Sequence, residues 1–425
     1  MGKRLKYAGR KMSAMILIAA LAMTVTGCTP FWQGKKLKNY EKKEKQKVSK
    51  ETSETSSETE EQFPDWDEVL EAADEAAAKM TVEEKVGQLF ILNLEQLDTA
   101  KGNFYEHKIA SEEMKRTLGQ YHVGGVILFS RNLKNREQTI KLNEELQSSS
   151  EIPLFVAVDE EGGDVARVAS NEKMKTTSFP PAEEVGKTKN DEYTYKMAKT
   201  IGSEIGELGF NVDFAPVADV KTSELNAEIG NRSFGDDPDK VSEHVSAFVQ
   251  GLHYAGLCAT LKHFPGQGSS SGDTHEDSVD IDSGIASLRG IDFVPFETGI
   301  EAGADFIMMS HISVSKVTES SVPASMSELM MKTILREELG FSKLIITDAF
   351  DMASITKYYD AGTAAVNAFL AGADIILMPQ DFKTAYNAVL QAVNEETIRM
   401  DRLDESVSRV LAVKMQRGIL KGLPD

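Results

Sequence analysis

From residue 87 onward, short apolar runs recur along the chain, and stretches with helical spacing separate them. Eight runs read as strands: Gly87–Leu92, Gly125–Phe129, Leu154–Val158, Asn211–Ala215, Cys258–Lys262, Phe306–Ser310, Lys343–Thr347 and Asp374–Met378. Most are continuous rather than alternating, as expected of parallel strands buried on both faces. NREQTIKLNEELQ, YTYKMAKTIGSEIGELG, PDKVSEHVSAFVQGLHYAG, LRGIDFVPFETGIEAGA and SELMMKTILREELG lie between them with helical periodicity. Several of these end in Gly just before the next strand, a common helix stop. Upstream, DWDEVLEAADEAAAKM has the same periodicity, and Thr81 with Glu84 forms a capping box for TVEEKVGQ. Eight strands with intervening helices predict an α/β fold, a (β/α)8 TIM-type barrel forming a single catalytic domain over residues 63–425. The competing arrangement is an open doubly wound sheet, and no GxGxxG or phosphate-binding loop supports it. TAYNAVLQAVNEE and RLDESVSRVLAVKMQRGIL close the barrel and leave no chain for a second globular domain.

Ahead of the periodic region the composition changes. MGKRLKYAGRK is basic, and MSAMILIAALAMTV is an apolar run of signal-peptide length that is short for a membrane span. It ends VTGC, which resembles a bacterial lipobox. The expectation is cleavage before Cys28, lipid on its sulfur, and a protein anchored to the extracytoplasmic face of the cell membrane. Residues 1–27 would then be a lipoprotein signal peptide. Residues 28–62, basic and then acidic with many Ser and Thr, lack the apolar content to fold and read as a disordered tether. Its lysines lie nearest the lipid, where they can meet anionic headgroups. The formal charge of −20 argues against a nucleic-acid partner. Cys258, the other cysteine, falls in a buried strand and suits a small apolar thiol rather than a disulfide.

In a barrel of this kind chemistry sits at the C-terminal strand ends. Asp159 follows LFVAV, Lys262 and His263 end the CATLK strand, His311 follows FIMMS, and Asp348 follows KLIIT. Polar groups therefore gather on one rim. Asp348 is placed to attack an anomeric carbon and form a covalent glycosyl-enzyme, or to cap the next helix. Asp351 suits the capping role better, since MASITKYY follows it. After Lys262, Pro265, Gly266 and Gly268 break regular structure, and SSSG forms a flexible loop that delivers Asp273 and His275. DTH reads as an Asx-turn with an exposed imidazole, or as a general acid/base, His275, oriented and charged by Asp273. His263, His275 and His311 could meet around a metal, but no HxH pair is present and no metal is expected. Arg167 and Arg232 suit either salt bridges or donation to sugar hydroxyls or a carboxylate.

KHFPGQG followed by DTH, with TDAFDM later, resembles glycoside hydrolase family 3 in its single-domain β-N-acetylglucosaminidase branch. The resemblance runs from MTVEEKVGQLF through YHVGGVILFSRN, VDEEGG, NVDFAPVADV, GNRSFG and PAS to AGADIILMP. It implies retaining hydrolysis of terminal β-linked N-acetylhexosamine, without a cofactor. Asp348 matches the family nucleophile, His275 its acid/base and Asp273 the partner of that dyad. Asp159, Arg167, Arg232, Lys262 and His263 match residues that hold the sugar. Gln267 stands where a His is common, and Asp164 where an Arg is common, which bears on substrate fit rather than on the reaction. The expected partners are an N-acetylglucosamine-containing glycan or muropeptide and the membrane, with the protein a monomer. The alternatives are a β-glucosidase, β-xylosidase or glycoside phosphorylase of the same family, and a non-catalytic sugar-binding surface lipoprotein.

Overall fold

The computed structural model describes residues 64–421. Cys28, the expected signal peptide and tether, Phe63 and residues 422–425 lie outside the described residues.

All eight expected strands form, and all pair in parallel. They are β1 Phe90–Asn93, β2 Gly125–Ile127, β3 Phe155–Val158, β4 Val212–Asp213, β5 Cys258–Phe264, β6 Phe306–Met309, β7 Leu344–Thr347 and β8 Ile376–Leu377. Neighbours in sequence are neighbours in the sheet from β1 to β7, and β8 pairs with β1. A parallel bridge between Ile346 and Ile375 joins β7 to the start of β8 and closes the ring. Helices separate the strands, as right-handed crossovers between parallel neighbours require.

Alternate residues of each strand face the barrel axis. Ile91, Ile127, Phe155, Ala157, Val212, Phe214, Cys258, Phe306, Met308, Leu344, Ile346 and Leu377 form one buried cluster, joined by Val410 and Val413 of the last helix. The Phe155 and Phe306 rings meet edge to face with centroids 5.2 Å apart. The cluster is a packed core rather than a pore. Cys258 belongs to it, is fully buried and is unpaired, as its place in an apolar strand implied.

Buried charges are not confined to the rim. Asp305, just before β6, meets Arg417, Lys343 and His253, and Asp374, just before β8, meets Arg336 and Arg409. Both acids also accept backbone N–H groups, of Ala259 and Ile345 respectively. These networks tie helices to the N-terminal strand ends, far along the strands from any catalytic rim.

Some elements differ from expectation. Gly87 and Gln88 belong to the helix Val82–Gln88, not to the first strand. The Thr81–Glu84 capping box starts that helix, and Gly87 lets it press on the next segment, since a Cβ there would stand 1.9 Å from the Tyr121 carbonyl. LRGIDFVPFETGIEAGA is two elements, a wide turn over Leu288–Asp292 and a helix Val294–Glu301 with Pro295 in its first turn.

Candidate active site

The inward alternation of the strands carries up into the rim. Asp159 lies two residues beyond Ala157, Lys262 four beyond Cys258, and Asp348 two beyond Ile346, so all three continue the inward-facing rows. They line one pocket of about 800 Å³, together with Arg167, Arg232, His263 and His275. Of the residues singled out in the sequence for catalysis or sugar binding, only Asp273 is not itself a pocket wall; it touches His275 instead.

One side of the pocket is a charge network. The Lys262 ammonium, almost fully buried, lies 2.9 Å from Asp159 Oδ1 and 2.6 Å from Glu161 Oε1. Glu161 also accepts two bonds from Arg232, at 2.9 Å from Nε and 2.7 Å from Nη2. Burial would drive the Glu161 carboxyl up, but Arg232 and Lys262 outweigh it and hold the group ionised. Burial likewise opposes the charge on Lys262, and Asp159 and Glu161 more than restore it. Arg167 lies 3.8 Å from Asp159, and its Nε has no hydrogen-bond partner among the described residues. Arg232 forms the salt bridge and also lines the pocket. Arg167 keeps a donor to spare.

Beneath this network, Glu160 accepts the Val168 and Ala169 N–H groups, and its own N–H donates to Asp213. Burial pushes the Glu160 carboxyl up to about 7 and the Asp213 carboxyl well above its ordinary range. This pair supports the turn that carries Asp159 and Glu161. Gly162 and Gly163, at φ of 90° and 62°, make that turn tight.

The segment after β5 is held from below. Asp219 accepts the His263 N–H at 3.1 Å, His263 Nδ1 at 2.8 Å and the Gln267 N–H at 2.6 Å. Gly266 has φ of 112°, and a Cβ on Gly268 would lie 1.9 Å from the Val220 carbonyl, so neither position takes another residue easily. Gln267 is buried away from the pocket and accepts from the Ser310 hydroxyl. Asp164 is exposed and accepts from Asn231. Neither departure from the family pattern lines the pocket.

The loop then delivers His275 to the pocket mouth, where the side chain keeps 63% of its exposure. Its Nδ1 lies 2.9 Å from Asp273 Oδ1 and 3.4 Å from Glu228 Oε1. Glu228 also accepts the Thr274 N–H and hydroxyl, at 3.0 and 2.6 Å. The Asx-turn and the Asp273–His275 pair are one structure, since Asp273 Oδ1 accepts the His275 backbone N–H and also lies 2.9 Å from the ring Nδ1. The Glu228 bond, more than the Asp273 bond, raises His275 to about 9 against some desolvation. Glu228 is lowered to about 2, burial being outweighed by His275 and Thr274.

Asp348 is partly open to the pocket and accepts the Ala349 N–H at 2.7 Å. Burial raises its carboxyl, but the His311 and His263 rings overcome this and hold it below the ordinary value. His311 is fixed by Ser325 at Nδ1 and by the Ala349 carbonyl at Nε2. Both its nitrogens are taken, as is Nδ1 of His263, so the three histidines do not form a metal triad. Glu228, Asp273 and His275 do bring donor atoms within 4.8 Å of one another. Asp351 is not a helix cap. The next helix, Ala353–Thr356, has Met352 at its N-cap position, and Asp351 instead lines the pocket. Although solvent reaches it, the enclosing walls and the Asp348 charge raise it to about 6.

Glu161, Asp219 and Glu228 were not singled out in the sequence. Glu161 sits three places past Val158, which ends its strand, so inspection of the first residue after each run stops short of it. Asp219 and Glu228 lie in irregular chain after β4, where no periodicity marks a direction.

A closed parallel barrel whose rim holds an inward carboxylate, a carboxylate-bound histidine and a lysine–arginine–carboxylate network is a (β/α)8 barrel with its candidate site at the C-terminal strand ends. The chain belongs to glycosyl hydrolase family 3: residues 81–413 match the model of the "Glycosyl hydrolase family 3 N terminal domain". Its similar proteins include a beta-hexosaminidase A of Pseudoalteromonas piscicida, 34% identical over 71% of this chain and 55% of that protein. A beta-hexosaminidase of Stenotrophomonas maltophilia is 36% identical over 63% of this chain and 80% of that protein. Among solved structures, a family 3 beta-N-acetylglucosaminidase from Paenibacillus sp. str. FPU-7 superposes with a TM-score of 0.75 at 34% identity, over 81% of this chain and 64% of that one. The chain thus spans little more than half of the first relative's length.

Proposed function

We propose that the chain is a retaining exo-β-N-acetylglucosaminidase acting on terminal β-linked N-acetylhexosamine, with peptidoglycan fragments as its natural source. The observation that carries this reading is that one pocket unites Asp348, His275 and the Lys262 network. The names of the relatives support the choice of sugar.

In this reading the sugar ring lies over the side formed after β3, β4 and β5. Asp159, Lys262 and His263 meet its hydroxyls, Arg232 fixes the network through Glu161, and Arg167 supplies its spare donor. Asp348, held ionised, attacks the anomeric carbon. The glycosidic C–O bond breaks and the leaving oxygen takes a proton from His275. Water then returns a proton to His275 and attacks the same carbon, releasing Asp348 and retaining configuration. A histidine replaces one of the two carboxyl groups usual in such enzymes, and Asp273 and Glu228 supply the negative charge that keeps it protonated. Turnover of a panel of aryl glycosides and muropeptide fragments, with and without phosphate, tests the reading. Preference for N-acetylglucosaminides with free sugar as product supports it; no turnover, or glycosyl phosphate as the product, overturns it.

The acid/base role makes a pH prediction. A group raised to about 9 is protonated below that value and lost as an acid above it. The basic limb of kcat/KM for a poor leaving group is expected near pH 9. Glu228→Gln removes the larger of the two raising bonds, so the limb should move down towards 6.5, the ordinary histidine value. A limb that stays in place would show that another group sets it.

The location reading rests on the sequence around Cys28. Cys28→Ala should block fatty-acid labelling of the protein in cells and release it from the membrane fraction. Label retained by the variant would contradict a lipid anchor at Cys28.

A further inference from the structure

In the proposed reaction His275 must meet one leaving oxygen beside the carbon that Asp348 attacks, yet it sits on a loop beyond the end of β5. Its partner Asp273 belongs to the same loop and moves with it. Glu228 reaches in from the chain after β4 and holds Thr274, next to His275, by two bonds. A loop tied from one side can still swing about that tie, and general acid catalysis needs the donor fixed within hydrogen-bond reach. A second tie comes from the chain that carries Asp348.

That chain starts rigidly. The Asp348 N–H donates to the Met309 carbonyl of β6 and the Phe350 N–H to the Leu377 carbonyl of β8, both at 2.9 Å, and Phe350 and Ile355 are buried. It continues through the helix Ala353–Thr356 to Lys357 and Tyr358, and there it grips residues on both sides of His275. The Ser354 N–H donates to the Thr274 carbonyl at 3.3 Å. The Lys357 ammonium donates to the Glu276 carbonyl at 2.6 Å and to Asp277 Oδ2 at 3.0 Å. The Tyr358 hydroxyl donates to Asp277 Oδ1 at 2.6 Å and accepts from the Ser278 hydroxyl at 3.3 Å. Tyr358 is 56% exposed, so packing does not account for its place, whereas the bonds of its hydroxyl do. Tyr358, more than Lys357, lowers the Asp277 carboxyl to about 2, so Asp277 remains a charged acceptor at any pH above that.

We infer that Lys357 and Tyr358 are positioning residues, which clamp Glu276 and Asp277 so that the loop bearing His275 is fixed relative to the segment bearing Asp348. One continuous stretch, residues 348–358, then sets the two reacting groups against each other. Neither Lys357 nor Tyr358 lines the pocket, so both act through His275 and not on the sugar. The inference deepens the glycosidase reading and rests on it.

The test uses the double variant Lys357→Met with Tyr358→Phe, which removes the polar contacts of both side chains and keeps their apolar parts. The N–H groups of residues 274–277 are all hydrogen-bonded, and their hydrogen exchange should quicken in the variant while that of the barrel strands stays as in the wild type. The kcat/KM for a β-1,4-linked N-acetylglucosamine disaccharide should fall roughly 10-fold, because a misplaced proton donor is costly, and that for a dinitrophenyl N-acetylglucosaminide should stay within about twofold. In a His275→Ala background the same two changes should add nothing on either substrate, since no acid is left to position. A merely structural role would slow both substrates alike and persist without His275. Unchanged exchange in the loop, equal slowing of the two substrates, or a further loss in the His275→Ala background each overturns the clamp. If the wild-type protein turns over neither substrate, the glycosidase reading fails, and the loop exchange still decides by itself whether the clamp holds.

Discussion

Asp348→Asn is expected to lower turnover of every β-N-acetylglucosaminide by on the order of 10⁴-fold, whatever the leaving group. No glycosyl-enzyme can form without the carboxylate, and the loss should appear in kcat. The fold has little reason to change. Among the described residues the side chain accepts one hydrogen bond, from the Ala349 N–H, which an amide oxygen can also accept. The thermal midpoint should therefore stay close to that of the wild type. A variant that keeps much of its activity would remove Asp348 from the chemistry. One that melts early would show that the carboxylate is part of the scaffold instead.

His275→Ala should divide substrates by leaving group. In the proposed mechanism a sugar alcohol needs a proton from His275, while a dinitrophenolate scarcely does. General acid–base help is typically worth about 10²–10⁴-fold, and disaccharide hydrolysis should fall by that amount. With the activated aryl glycoside the first step stays fast and the second becomes limiting, because water must be activated by the same group. Azide needs no general base, so it should restore turnover and yield a β-glycosyl azide. Because the side chain is 63% exposed and bonds only to rim carboxylates, its removal should cost little stability. Equal slowing of both substrates, with no effect of azide, would make His275 a structural residue.

The barrel was legible because its signal is local. Parallel strands buried on both faces tend to be continuously apolar, and most of the eight runs from Phe90 to Leu377 are. The first residues after those runs, Asp159 and Asp348, were legible for the same reason, since the alternation fixes which way they point. Lys262 could be read as a strand end, although β5 continues to Phe264. What the sequence did not show depends on chain that folds back from elsewhere. Glu228 reaches His275 from a loop 47 residues earlier, and Asp219 reaches His263 across 44 residues. Asp351 was misplaced because an acid ahead of a helical pattern resembles a cap. The helix starts one residue later than such a cap would need, and the pocket takes the side chain instead.

The central claim is that Asp348 becomes covalently bonded to the sugar. The most direct measurement is to incubate the wild-type protein with a 5-fluoro N-acetylglucosaminyl probe bearing a good leaving group, digest it, and map the adduct by mass spectrometry. The account predicts a single glycosylated peptide spanning KLIITDAFDM, with the added mass on Asp348 and none in Asp348→Asn. An adduct on another residue, or no adduct while the probe is being turned over, would contradict it.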